Sequence, residues 1–219
     1  MRKEIHEQPQ VLERTLRGER HTVARLRKLF QRRDFRLVIL VARGSSDNAA
    51  LFGRYVIEIT TRYLTSLAAP SVHTLYRARL NLRQTLAVGL SQSGEATDVN
   101  LVLRACRKQG AFTIGITNQA SSTMAGLVDE VLLSHAGTER SVAATKTYTA
   151  QMLLLYELAW ALGARFSRRG IERLPELATK ALQLEKEVHE AAQRYHTMKH
   201  CIVAGRGLNY ANSSEFALK

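Results

Sequence analysis

The chain has 219 residues, of which 45% are hydrophobic and 23% are charged, and this is the composition of a folded globular protein with a sizeable core. That balance excludes a disordered chain, a collagen-like chain and a bundle of membrane helices. Thirty-two Lys and Arg side chains against 19 Asp and Glu give a net charge of +13, which raises the question of an anionic ligand or partner.

Residues 1–35 are predicted to form an N-terminal helical segment. Pro9 suits the first turn of a helix, and apolar residues recur at helical spacing from Val11 to Phe30. The periodicity changes after Phe35, where a continuous apolar run begins. The pattern therefore places the end of the helical segment at that point.

Residues 36–165 carry four short apolar runs that are typical of strands buried on both faces of a parallel sheet. Each run is followed by a turn and then by an amphipathic pattern at helical spacing. The predicted strands are 37–42, 85–90, 111–117 and 131–133, and the predicted helices among them are 48–63, 98–108 and 142–162. This alternation predicts an α/β fold, with helices packed on both faces of a parallel sheet.

Residues 166–200 are predicted to be a helical connector, with a helix from Pro175 to about His196. A further buried-strand pattern, Cys201–Ala204, follows it. The segments VARGSSDNAALF around Arg43 and VAGRGLNYANSSEF around Arg206 share a strand, an Arg-Gly turn and a helix start, 163 residues apart. This similarity indicates an internal duplication, so residues 201–219 are predicted to be the truncated start of a second domain.

Two turns at equivalent places in successive units are candidates for ligand binding: residues 44–46 (GSS) and residues 91–94 (SQSG). In an open parallel sheet, ligands bind at the carboxyl ends of strands, where helix N-termini present unpaired N–H groups. Glycine allows close backbone approach and serine adds hydroxyl donors, which suits a phosphate monoester. The nucleotide-binding motifs G-x-x-x-x-G-K-[ST] and G-x-G-x-x-G are both absent. The alternative, that these are plain turn and N-cap serines, stays open.

Three separated motifs resemble the sugar isomerase (SIS) domain family: MRKEIHEQP at the start, SQSGEATD from Ser91, and AGTERSVAATKTYTAQ from Ala136. They are similar to the isomerase half of glutamine–fructose-6-phosphate aminotransferases, in which two SIS domains stand in tandem. The resemblance covers nearly the whole chain. It implies a three-layer α/β/α sandwich around a five-stranded parallel sheet of flavodoxin-like type, no cofactor, and a homodimer.

The resemblance also implies a sugar-phosphate site built from three segments. Residues 91–93 would hold the phosphate, Gly94 would let the backbone approach it, and the segment from Val142 to Ala144 would line the sugar. The implied substrate-binding residues are Ser45, Ser46, Ser91, Gln92, Ser93, Gly94, Thr97, Val142 and Ala144.

Three positions depart from the family pattern. Arg43 stands where the family usually has a cysteine, and Ala96 stands where it has a threonine that donates to phosphate, with Thr97 next to it. Ala144 replaces a serine that contacts the sugar. These differences predict a related phosphosugar and leave open whether the substrate is the same.

Catalysis is expected of the intact protein rather than of these 219 residues. The resemblance gives Glu215 and Lys219 supporting roles and puts the main base, a histidine and a Schiff-base lysine beyond Lys219. We therefore expect the chain to bind a ketose or aldose 6-phosphate without turnover. The intact protein would be a phosphosugar isomerase or an isomerising aminotransferase, and the lack of a glutaminase part before Met1 favours a deaminase, free-ammonia or plain isomerase variant.

Two functions of other classes fit the sequence less well. A non-catalytic, sugar-phosphate-sensing regulatory domain would carry a helix-turn-helix module ahead of the sheet, and about 35 residues are too few for it. Nucleic-acid binding would use the basic cluster between Arg14 and Arg36, but no zinc-finger spacing or aromatic platform accompanies it. We interpret that cluster as a solvated helix face.

The remaining polar candidates are isolated. His196 and His200 have the i, i+4 spacing of metal ligands, but a helix C-terminus that attracts positive charge accounts for them, so no metal site is predicted. Glu139 fits either a base or a helix N-terminal partner, and Lys146 fits either a sugar contact or a packing role.

The expected location is the cytoplasm. Cys106 and Cys201 form no C-x-x-C pair or disulfide framework, and the charged N-terminus has no apolar core of a signal peptide. The longest apolar stretch, 152–164, is interrupted by Glu157 and is too short to cross a membrane.

Overall fold

The computed structural model describes residues 1–219. Its five strands are β1 Leu37–Val41, β2 Leu64–Leu67, β3 Thr85–Leu90, β4 Phe112–Thr117 and β5 Glu130–Leu133. Its helices are α1 Arg2–His6, α2 Gln8–Phe30, α3 Ser45–Thr61, α4 Pro70–Thr74, α5 Thr97–Lys108, α6 Thr123–Leu127, α7 Lys146–Ala161, α8 Arg168–Glu172, α9 Leu174–Leu182, α10 Glu185–Arg194 and α11 Leu208–Leu218. None of these helices is both long and apolar enough to cross a membrane.

The five strands form one parallel sheet in the order β2-β1-β3-β4-β5. The chain runs outward from β1 to β2 and then crosses back, so that β3 pairs with the other side of β1. The strand order therefore reverses between β1 and β3, and in open α/β sheets the crevice at such a reversal is where ligands bind. The predicted α/β fold with a five-stranded parallel sheet is confirmed.

Helices cover both faces of the sheet, because side chains alternate along each strand. Val38 and Leu40 enter the larger core, of 27 buried residues, together with α2, α3 and α7. Ile39 and Val41 point to the opposite face and pack in a second core with α5 and α6. The continuous apolar runs reflect this two-sided burial, and the three-layer arrangement follows from it.

Two differences from the predicted elements have physical reasons. Strand β2 has no apolar run because it lies at the sheet edge, with Thr65 buried and Leu64 exposed. The long helix α7 begins at Lys146 rather than at residue 142. The carboxylate of Glu139 accepts hydrogen bonds from the backbone N–H groups of Thr145 and Lys146, at 2.7 and 2.9 Å, and this fixes the helix start.

The C-terminal third departs furthest from prediction. The helix expected from Pro175 to His196 is divided into α9 and α10, neither of which has a buried residue. The prediction of a buried strand at Cys201–Ala204 is wrong, because the segment has no strand structure and Ile202 is 95% exposed. A parallel strand needs a neighbouring strand for its backbone hydrogen bonds, and no strand pairs with this segment.

Candidate functional site

A cavity of about 220 Å³ opens at the carboxyl ends of β1 and β3, where the strand order reverses. It is bounded by the turn after each of these strands, by the start of α7 and by the loop that precedes α7. Twelve residues line it: Arg43, Ser45, Ser46, Leu90, Ser91, Gln92, Ser93, Ala96, Val142, Ala144, Thr147 and Gln151. Seven of the nine residues predicted to bind substrate are among them, and Gly94 and Thr97 are not.

The turns 44–46 and 91–94, here called the turn wall, bring two helix N-termini to the cavity. Helix α3 begins at Ser45 and helix α5 at Thr97. The backbone N–H groups of Ser45, Ser46, Gln92 and Ser93 make no hydrogen bond within the chain. Unpaired N–H groups close to the positive ends of two helix dipoles favour an anion.

Gly94 lies behind the cavity and sets the shape of its turn. Its φ is +70°, and a Cβ there would lie 2.2 Å from Ser122 Oγ and 2.9 Å from Thr117 Oγ1. Its N–H donates to Ser91 Oγ at 3.1 Å, and its carbonyl accepts from Asn100 Nδ2 at 2.9 Å. The glycine thus serves packing beneath the turn, where no side chain fits.

Helix α7 supplies two buried polar residues that sequence reasoning missed. Thr147 and Gln151 are one turn apart on the cavity face, and Gln151 Nε2 donates to Ser46 Oγ at 3.0 Å. This contact ties the helix to the turn wall. The i, i+4 spacing of Thr147 and Gln151, which places both on one face of α7, was the signal that could have found them.

The loop 137–145, here called the loop wall, faces the turn wall and contributes Val142 and Ala144. Helix α1 holds it from outside. The Glu4 carboxylate accepts from the backbone N–H of Arg140 at 2.5 Å and from the hydroxyl of Ser141. The Ser141 hydroxyl and then the Arg140 N–H lower the pKa of Glu4 to about 2. Val142 itself is fully exposed at the cavity rim.

The end of the loop wall is held by two further carboxylates. Lys146 is buried, and its ammonium group donates to Glu7 Oε2 at 2.5 Å and to the Thr138 carbonyl at 2.8 Å. Glu139 accepts from the first turn of α7 and from the hydroxyls of Thr145 and Thr147. Lys146 and Glu139 therefore both have structural partners, and neither of them lines the cavity.

Helix α11 brings Glu215 and Lys219 to the edge of the cavity. Lys219 Nζ is 2.6 Å from Glu215 Oε1 and 3.4 Å from Ser45 Oγ, and it also donates to the Ala144 carbonyl. Glu215 is buried, and its Oε2 accepts from Asn48 Nδ2 at 2.8 Å. Burial, with the nearby Glu215 charge, raises the pKa of Tyr148 to about 12. Both predicted supporting residues thus lie beside the site.

The cavity lining is rich in hydrogen-bond donors. Hydroxyls, an amide and free N–H groups surround it, Arg43 is its single charged residue, and it contains no carboxylate and no histidine. No group of three or more His, Cys, Asp or Glu side chains comes together that could hold a metal ion. Such a lining is suited to bind and orient an anionic, hydroxylated molecule, and none of its groups is a ready proton acceptor.

Comparisons with known proteins match a family model to the part of the chain that forms the sheet. The SIS domain family matches residues 33–161. The glutamine–fructose-6-phosphate aminotransferase [isomerizing] of Aquifex aeolicus is 36% identical over an alignment of 225 residues, gaps included. The alignment covers 100% of this chain and 37% of that protein. The chain therefore spans little more than a third of the length of the curated relatives it matches.

Two solved structures share the fold over the full length of the chain. A protein from Silicibacter pomeroyi, provisionally named a phosphosugar isomerase, has a TM-score of 0.90 at 33% identity, and the match covers 66% of that protein. The C-terminal domain of glucosamine-fructose-6-phosphate aminotransferase from Francisella tularensis has a TM-score of 0.85 at 28% identity, with 65% of its chain covered.

Proposed function

The chain belongs to the SIS domain family, and from that premise we propose that its cavity binds a ketose or aldose hexose 6-phosphate. One observation carries the proposal. The cavity lies at the strand-order reversal between β1 and β3, where two helix N-termini meet a lining that is rich in hydrogen-bond donors and has no carboxylate. A dianionic phosphate is the group that this combination favours, and the sugar hydroxyls suit the remaining polar lining.

In this proposal the turn wall binds the phosphate and the loop wall lines the carbon skeleton. Ser91, Gln92 and Ser93 donate to phosphate oxygens at the start of α5, and Ser45 and Ser46 contact phosphate and sugar. Val142 and Ala144 border the sugar. Gly94 supports the turn from behind, and Thr97 extends the same helix terminus outside the lining.

The intact protein is proposed to be a phosphosugar isomerase or an isomerising aminotransferase or deaminase. Binding energy from the unreactive phosphate would orient the carbon skeleton for a 1,2-proton shift. The names of the relatives, matched over the whole chain, support this class, and they do not favour the alternative of a sugar-phosphate-sensing regulator. The 219 residues alone are expected to bind without turnover, because the lining offers no proton acceptor.

The proposal includes the domain division, the homodimer and the cytoplasmic location. The match at residues 33–161 supports a first SIS domain at 36–165 between a helical segment at 1–35 and a connector at 166–200. Gly44 and Gly207 precede α3 and α11 with nearly equal backbone angles, φ +58° and +61° with ψ −135° and −139°, which supports a second, repeated unit from residue 201. The unpaired cysteines fit a reducing compartment.

Isothermal titration calorimetry tests the binding proposal with fructose 6-phosphate, glucose 6-phosphate, the two free sugars and inorganic phosphate. The sugar phosphates are expected to bind, the free sugars far more weakly. Ser93→Ala, which removes a donor of the lining, is expected to weaken binding roughly tenfold. Ser71→Ala removes an exposed hydroxyl from α4, outside the lining, and serves as the matched control. Equal binding of free and phosphorylated sugars would refute the proposal.

A further inference from the structure

Arg43 departs from the family pattern, and the proposed phosphate contacts do not include it. It lies two residues beyond the end of β1 and is the only charged side chain among the twelve that line the cavity. Its neighbours at the turn wall donate through neutral hydroxyls and N–H groups. A full positive charge at this point changes how the cavity attracts and selects its ligand.

The guanidinium of Arg43 is held in place from one side only. Its Nε donates to Asp98 Oδ2, in the first turn of α5, and neither terminal Nη group makes a hydrogen bond within the chain. Arginine carries five N–H donors in a planar fork. The Asp98 contact therefore restrains the group through Nε and leaves its Nη donors unpaired within the chain.

This ion pair also links the segments that flank the two turns of the turn wall. Arg43 directly precedes the turn 44–46, whereas Asp98 lies in the helix that follows the turn 91–94, 55 positions later in the chain. The hydrogen bond from Arg43 lowers the pKa of Asp98, so both partners are charged at neutral pH. The Arg43 side chain is 64% exposed, and a pair so open to water is worth little to folding stability.

We propose that Arg43 is a specificity-determining contact of the sugar-phosphate site, donating from its Nη groups to the phosphate, and that Asp98 is the residue that positions it. The inference rests on the proposed function, since it concerns the same cavity. Arg43 makes the site select ligands that carry two negative charges on one group, because a planar fork binds two oxygens of a dianion at once.

A double-mutant cycle measured by calorimetry with fructose 6-phosphate tests the proposal. Arg43→Gln is expected to weaken binding about tenfold, and Arg43→Lys, which keeps the charge without the fork, by a smaller factor. Asp98→Ala is expected to weaken binding about threefold in the presence of Arg43. In the Arg43→Gln background it is expected to have no weakening effect, because no guanidinium remains to be positioned.

Arg104→Gln is the matched control, since it removes an equal charge from an exposed position of α5 outside the cavity. Unchanged affinity in Arg43→Gln, or equal losses in Arg43→Gln and Arg104→Gln, would overturn the inference. So would an equal effect of Asp98→Ala with and without Arg43. If the unmodified chain fails to bind fructose 6-phosphate, or Ser93→Ala binds as tightly, the proposed function itself fails. If the unmodified chain binds fructose 6-phosphate and Ser93→Ala binds it more weakly, but Arg43→Gln leaves the affinity unchanged, only this inference fails.

Discussion

The two walls of the cavity are held in place by different kinds of interaction. The turn wall continues directly from the buried strands β1 and β3, and contacts such as Ser91 Oγ with the Gly94 N–H join residues three positions apart. The loop wall has no strand beneath it. It is held by side chains from distant parts of the chain, among them Glu4, whose contact with Arg140 spans 136 positions.

This difference shows that a binding cavity can combine a locally encoded wall with one that depends on the rest of the chain. The turn wall is expected to respond to changes in backbone geometry and packing. The loop wall is expected to respond to loss of a few carboxylates and to acid. Variants of the two walls should therefore respond differently, with the largest effect in the turn wall.

Gly94→Ala is expected to damage the turn wall and lower the free energy of unfolding by about 3 kcal/mol, because alanine is strained at positive φ and its Cβ would meet Ser122 Oγ at 2.2 Å. Thermal denaturation should show a fall in Tm of roughly 6–12 °C. Gly126→Ala, in helix α6 with no atom within 4 Å of the new Cβ, is the matched control and should leave Tm unchanged or raise it. Similar Tm values for both variants would contradict the account of the turn.

Glu4→Gln is expected to loosen the loop wall while leaving the turn wall intact. Removing the charge weakens the contacts with Arg140 and Ser141, so the loop is less ordered in the free protein. Part of the binding free energy is then used to order the loop when the ligand binds. Affinity for fructose 6-phosphate should fall by roughly fivefold in calorimetry. Glu13→Gln, on the exposed face of α2, removes the same charge away from the loop and should bind normally. A Glu4 variant with normal affinity would mean that the loop wall does not depend on α1.

Acid should remove the stabilisation that the ionised Glu4 carboxylate gives to the fold. Its pKa is lowered to about 2 in the folded chain from an ordinary 4.5, so the ionised carboxylate stabilises the fold above about pH 4.5, and this contribution is lost as the pH falls toward 2. The difference in Tm between the unmodified chain and Glu4→Gln should therefore be constant near neutrality and shrink between pH 4.5 and 2. A difference that stays constant through this range would rule out the proposed ionic anchor.

Ser122→Ala is expected to have the smallest effect. Ser122 caps helix α6 by accepting from the Ala125 N–H at 3.3 Å, directly beneath Gly94. Loss of this cap should cost about 1 kcal/mol, or roughly 2–4 °C in Tm. The neighbouring Ser121→Ala, which removes an exposed hydroxyl, is the control and should leave Tm unchanged. Equal Tm values for the two variants would show that the cap does not support the turn wall.

The sequence predicted the turn wall because its signals are local. Apolar runs such as 37–42 and 85–90 mark strands buried on both faces, and the serines and glycines that follow them mark helix starts. Position in a parallel sheet then brings the two turns together. No comparable local pattern marks β2, because an edge strand with one exposed face needs no apolar run.

The loop wall could not be predicted in the same way. That Glu4 reaches Ser141, or that Glu7 reaches Lys146 at the end of the loop, depends on tertiary packing rather than on neighbouring residues. The error at Cys201–Ala204 has the same origin. An apolar run reports that a segment favours burial, but the partner that would bury it lies outside the run, and the segment is exposed.

The contacts that hold the loop wall also have a consequence for the order in which the protein folds. Glu4 with Arg140, Glu7 with Lys146 and Lys219 with Ala144 are separated by 136, 139 and 75 positions, so both ends of the chain must arrive before the loop is fixed. Closing such long loops costs entropy that only the finished contacts repay. The sheet and its turns should therefore form first during refolding, and the ability to bind ligand should return in a later, slower phase.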